Sequence, residues 1–209
     1  MKLIMFTLLV FTFGCSSIYY NFWETLGQEK RDLLASNLEK TNSTQKDLAD
    51  DFKDSLERIR SEYSFEEGKL EKTYDELSLD LEKAKDRSQL LSERIEKTTN
   101  VAEDLFEEWE DEADELDNKE YKKKSLSKLK ATKKKFYATL TQLQKVEASV
   151  KPILKKFEDR VIFIKHNLNA KVVGNLRVEF KNIEKDMNSL IAEINSSTKQ
   201  ANSFIKEIE

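Results

Sequence analysis

Proline occurs once in the 209 residues, glycine four times, and cysteine and histidine once each. Turns depend on Gly, Pro and Asn-Gly pairs, and a sheet protein needs one about every 8 to 12 residues, so an all-β or α/β fold is excluded at the outset. Cys15 has no second cysteine to close a disulfide with, and His166 has no second histidine to share a metal. There is no HExxH, the acidic stretch from Asp111 to Glu120 lacks the glycine of a calcium-binding loop, and Gly27, Gly68 and Gly174 open no phosphate loop. No metal, cofactor or catalytic set is expected, and the chain does not read as an enzyme.

Charge is abundant. Charged residues make up 36% of the chain, against about 25% in an ordinary domain. Hydrophobic residues, at 38%, are too many for full disorder and too few for a thick globular core, which suits thin, elongated helical packing. The net charge of -4 leaves no basic surplus for nucleic acid.

The first 23 residues read as an address. After Met1-Lys2, Leu3 to Phe13 is apolar except for Thr7 and Thr12. A span needs roughly 20 residues, so this run fits the hydrophobic region of a signal peptide over residues 1–14. It ends at Gly14-Cys15-Ser16-Ser17, where bacterial lipoproteins carry the cysteine that is acylated. The pattern is imperfect, because Thr12 and Phe13 stand where an aliphatic and a small residue are usual. The bland alternatives are an uncleaved signal anchor and an ordinary signal peptide with an incidental cysteine. Ser16 is not the Asp that retains such proteins at the inner membrane, so the expected address is the periplasmic side of the outer membrane. Residues 15–23 would form the lipidated tether. Tyr19, Tyr20, Phe22 and Trp23 could lie at the headgroup layer, where aromatic rings with a wet edge are favoured; alternatively Phe22 and Trp23 could cap the end of a helical core.

Beyond Gly27 apolar residues recur in steps of three and four. Leu77, Leu81, Ala84, Leu91, Ile95, Ala102 and Leu105 form one stripe, with Ser88 and Thr98 as polar members; Phe180, Ile183, Met187, Leu190, Ile194, Ser197, Ala201, Phe204 and Ile208 form another. Leu129, Phe136, Leu140, Leu143, Val150, Leu154, Phe157, Val161 and Ile164 form a third, interrupted by Lys133 and Glu147. The weakest contains Leu34, Leu38, Leu48, Phe52 and Ile59, with Thr41 and Gln45 on its line. The expected fold is all-α: one elongated antiparallel four-helix bundle over residues 24–209, with the second and third helices longest. Ser64-Phe65-Glu66-Glu67, Asp117-Asn118-Lys119-Glu120 and Asn169 are expected caps, and Pro152 predicts a kink near Ser149 or Val150. The middle pair should project as a two-helix tip around Asp117.

Acidic residues crowd from Glu103 to Asp117 and lysines from Lys119 to Lys135. Folded back at Asp117-Asn118, the runs would neutralise each other, with Asp111 facing Lys124 and Glu107 facing Lys128. The functional alternative is that Lys122, Lys123 and Lys124 meet a partner or an anionic surface. His166-Asn167, beside the apolar Val161-Ile162-Phe163-Ile164, is the other candidate contact.

The segments Gly14-Cys15, Tyr19-Tyr20, Leu105-Phe106-Glu107-Glu108-Trp109-Glu110 and Phe163-Ile164-Lys165-His166-Asn167-Leu168-Asn169-Ala170, with Gly27, Lys30-Arg31-Asp32 and Leu70-Glu71-Lys72 with Tyr74, resemble a family of uncharacterised Gram-negative bacterial lipoproteins known only as a domain of unknown function. The resemblance covers nearly all of the chain after Cys15 and implies no activity or site. The expected function is a lipid-anchored envelope scaffold or adaptor with a protein partner, able to form homo-oligomers and binding no nucleic acid. The alternatives are a peripheral lipid-binding or membrane-remodelling protein and a cytoplasmic coiled-coil oligomer.

Overall fold

The computed structural model describes the backbone of residues 15–61, 70–166 and 173–208, and the side chains of 29–60, 71–166 and 180–208. Four helices follow one another: α1 (Cys15–Ser61), α2 (Leu70–Asp114), α3 (Lys119–His166) and α4 (Val173–Ile208). The described residues contain no strand. The signal segment 1–14 and the expected caps at 64–67 and Asn169 lie outside the described residues.

Each helix packs on two neighbours in a ring, α1 on α2, α2 on α3, α3 on α4 and α4 on α1. Ion pairs fix the antiparallel sense. Arg58 meets Asp80 at 2.9 Å and Lys30 meets Glu108 at 2.9 Å, so one end of α1 lies by the start of α2 and the other by its end. Lys156–Asp186 and Lys135–Glu207, both 2.6 Å, do the same for α3 and α4.

The stripes become the core. Every member of the α4 stripe from Phe180 to Ile208 is buried, as are the α2 positions from Leu77 to Leu105 other than Ser88. On α3 the buried band is wider than the stripe, because Thr139, Val146 and Ile153 also turn inward. Phe52, Phe136, Phe157 and Phe180 are wholly enclosed, each burial favouring the fold by about 1.5–3 kcal/mol. Lys133, an exception on the stripe, keeps its charge out of the core: its ammonium stands over the Phe106 ring, 5.9 Å from the centroid, and reaches Glu110 at 2.7 Å.

The turn at Asn118 is a helix cap. Its side-chain oxygen accepts from the amides of Glu120 at 3.0 Å and Tyr121 at 3.2 Å, and its carbonyl accepts the first helical bond from Lys122 at 2.9 Å. Asn118 thus does the capping, and Tyr121 rather than an acid occupies the third helical position. α3 continues as one helix through Pro152. The carbonyl freed by the missing Pro152 amide belongs to Ala148, an exposed residue where water can satisfy it.

The helices span 47, 45, 48 and 36 residues, so α2 and α3 exceed α4 while α1 matches them, because its helix reaches back to Cys15. At about 1.5 Å per residue, these are rods of roughly 54 to 72 Å. The hairpin of α2 and α3 does extend beyond the end of α4, which is tied to Lys135 and Phe136 by Glu207 and Phe204. It is not a free two-helix tip, however: α1 accompanies it, with Lys30 on Glu108.

Where α1 carries Thr41 and Gln45, the core is polar. The hydroxyls of Thr41 and Thr98 lie 3.0 Å apart, Asn42 donates to Asn202 at 2.9 Å, and Thr198 donates to Gln45 at 3.4 Å. These contacts tie α1 to α2 on one side and to α4 on the other. Polar pairs within an apolar seam specify register, because a slip by one heptad would set hydroxyls and amides against hydrocarbon.

Candidate functional site: the charge-split hairpin

Charge is sorted by helix. The 16 acidic and 6 basic residues of α2 leave it at -10, and the 15 lysines and arginines against 4 acids of α3 leave it at +11. By the same count α1 has 9 acidic and 7 basic residues, and α4 has 5 of each. The imbalance therefore belongs to the hairpin alone.

Its outer surface carries the charge in rows. On α2, Asp75, Glu82, Glu96, Glu103 and Glu110 fall on a spacing of seven or a multiple of it, beside a second such row of Asp86, Glu93, Glu107 and Asp114. On α3, Lys123, Lys130 and Lys151 form one row and Lys134 and Lys155 the next. All of these residues are exposed. A seven-residue spacing keeps side chains at one angle along packed helices, so each row is a straight strip.

Only part of this charge is neutralised across the hairpin. Asp114 pairs with Lys122 at 3.0 Å and Glu110 with Lys133 at 2.7 Å, while Lys85–Glu158 at 2.6 Å runs in the opposite sense. Lys124 turns to Glu120 of its own helix at 2.7 Å rather than to Asp111. Asp75, Glu82, Asp86, Glu96, Glu103 and Glu107, with Lys123, Lys130, Lys134 and Lys151, form no salt bridge among the described residues. The expected pairing of Glu107 with Lys128 is not formed. The hydrogen bond from Trp109 to Ser125, 2.9 Å, holds the two helices together between the pairs.

Acids also crowd the edge of α2 beside α1, where Glu108 meets Lys30. Asp104, Glu107, Glu108, Asp111, Glu112 and Glu115 line an open cleft of about 440 Å³ with Lys30. Burial pushes the Glu112 carboxyl above its ordinary range, and the neighbouring charge of Glu108 adds to this, against the pull of Lys30 and Arg31. Lys30 thus stands among crowded carboxylates, with Arg31 close enough to act on Glu112.

The residues expected to carry function disperse. Lys122 bonds Asp114, at its carboxylate and at its main-chain oxygen 3.3 Å away; Lys123 points to solvent, and Lys124 is held by Glu120. His166 is the exposed last residue of α3, and Asn167 lies outside the described residues. Cys15 is the first residue of α1, and Tyr19, Tyr20, Phe22 and Trp23 follow on its backbone, with side chains outside the described residues. Among the described residues no group of three or more His, Cys, Asp or Glu is arranged to hold a metal ion, and no helix is long and apolar enough to cross a membrane.

The structure defines an antiparallel four-helix rod with one acidic and one basic helix side by side. Residues 19–208 match the family described as "Protein of unknown function (DUF2959)", and the chain belongs to that family. Comparison with curated proteins and with solved structures finds no match.

Proposed function

We propose that the protein is a non-enzymatic scaffold or adaptor of the bacterial envelope, tethered by an acylated Cys15 to the periplasmic side of the outer membrane and working through helical protein–protein contacts. The observation that carries this reading is the exposed surface of the α2–α3 hairpin, along which most of the acids and lysines in the ordered rows form no salt bridge among the described residues. Charge patterned along packed helices is a means of choosing a partner helix and its direction. The apolar stripes face one another in a single core cluster, which leaves them unavailable to acyl chains and favours protein contacts over lipid binding. The lipoprotein address rests on the leader-like run ending at Gly14-Cys15.

The experiment has two arms. Cells expressing the full chain are fed an alkyne analogue of palmitate, and Cys15→Ala is expected to abolish both labelling and recovery with the outer-membrane fraction; a variant that stays labelled or stays with that fraction overturns the anchor. Chain made without its lipid is then mixed with neutral and anionic vesicles. No extraction of lipid is expected, and a protein that emerges loaded with phospholipid is a lipid carrier instead.

A further inference from the structure

We infer that the outer face of the α2–α3 hairpin binds a second copy of this chain, side by side and in the same direction. The inference deepens the scaffold reading, on which it rests, by naming a partner for that surface. The face is two strips wide, acidic on α2 and basic on α3. When two such faces meet about a two-fold axis parallel to the helices, the left strip of one falls on the right strip of the other. The acids of each copy therefore meet the lysines of its mate twice over, the self-complementary condition of a symmetric pair.

Heights agree as well. Lys85–Glu158 and Lys133–Glu110 fix the level of α2 against α3, which places Glu107 near the height of Lys134 and Leu79 near that of Ile162. Because a parallel two-fold preserves height, Glu107 of one copy faces Lys134 of the other, and Leu79 faces Ile162. Leu79 is 58% exposed, Ile162 44% and Tyr137 45%. Half of the six exposed large hydrophobic residues of the described chain thus lie on this one face, where they would supply the apolar contact that ion pairs alone do not.

Two helices about 10 Å wide over some 60 Å of shared length present roughly 1,200 Å² per copy, against about 800 Å² per partner in a standard interface. An anionic membrane is the competing occupant of the lysine row. It fits this face poorly, because the acids of α2 run beside the lysines at every height and would meet the same headgroups.

The test is a charge exchange in the full chain. One variant carries Glu103→Lys and Glu107→Lys, the other Lys130→Glu and Lys134→Glu. All four side chains are exposed and form no salt bridge, so helicity by circular dichroism should hold. Differently tagged copies are co-expressed in pairs, solubilised in a nonionic detergent and co-precipitated. Wild type should recover wild type. Each variant should recover itself at least about tenfold less well, and the two variants together should return to the wild-type level, because both strips are then complementary again. Failure of wild type to recover itself overturns the inference, as do variants that self-associate like wild type or a mixed pair no better than its parents. A lysine-row variant that loses only sedimentation with anionic vesicles, with self-association intact, would assign that row to a membrane. None of these outcomes alters palmitate labelling or lipid extraction, so the two proposals fail separately.

Discussion

The hydroxyls of Thr41 and Thr98 stand 3.0 Å apart across the α1–α2 seam, and each also reaches the carbonyl four residues behind it on its own helix, at Asn37 and Arg94, both 2.8 Å away. Each hydroxyl has one proton to give. Two protons are therefore shared among two carbonyls and the contact between the helices.

It follows that Thr98→Val costs little. Thr41 keeps its own carbonyl, the cavity volume is nearly unchanged, and the loss should be about 0.5–1.5 kcal/mol, the net value of one hydrogen bond. Urea unfolding of the variant checks this. Gln45, fully enclosed, should behave differently: its amide nitrogen has no hydrogen-bond partner among the described residues, so Gln45→Leu is expected to leave stability equal or raise it, while weakening the fixed register of α1 against α4. A loss above about 3 kcal/mol would contradict this account of the layer.

Phe136 makes the opposite case. Its ring is wholly buried at the level where α4 ends, edge-on to Phe106 at 5.5 Å and tilted against Phe204 at 5.9 Å. Phe136→Ala should cost about 3–5 kcal/mol. Chemical denaturation should show it, with an unchanged slope if the fold survives.

Removing the cap at Asn118 should cost about 0.5–2 kcal/mol, because Asn118→Ala strips the acceptor from two helical amides. The damage should be local. Hydrogen exchange is expected to quicken at Glu120 and Tyr121 and to stay unchanged around Leu143 and Ile194.

The carboxyls give a pH signature with opposing signs. Glu112 is pushed upward, chiefly by burial, so the fold binds its proton more readily than the unfolded chain does. Its contribution favours the fold at acid pH and is lost as pH rises through the raised value. Glu193 is pulled downward, chiefly by its hydrogen bond with Lys145, so its contribution is present above the unfolded carboxylate range and lost as pH falls through the lowered value. Glu112→Gln should therefore raise the melting temperature at pH 7 more than at pH 4, whereas Lys145→Ala should lower it more at pH 7 than at pH 3. Melting curves at the three pH values decide it.

The architecture was legible because a step of three and four over some 40 residues leaves one solution, a helix with one face to bury. Thr41, Gln45, Thr98 and Ser197 were visible as polar intruders on their stripes. That Thr41 meets Thr98 and Gln45 meets Thr198 was not, because it depends on the register between helices far apart in the chain. The lysine triple Lys122-Lys123-Lys124 makes no single surface. Consecutive helical residues turn by about 100°, so the three diverge to Asp114, to solvent and to Glu120. The useful period was seven, and at that period Asp75, Glu82, Glu96 and Glu103 belong to the same strip as the tip although they lie outside the dense acidic run or at its margin.

The neighbouring helices at -10 and +11 also make the rod a transverse electric dipole. Its poles lie on adjacent long edges instead of at the ends. Near any charged surface such a body experiences a torque about its own axis. Whatever holds one end in place, the surrounding field has a say in which edge is turned to its neighbours.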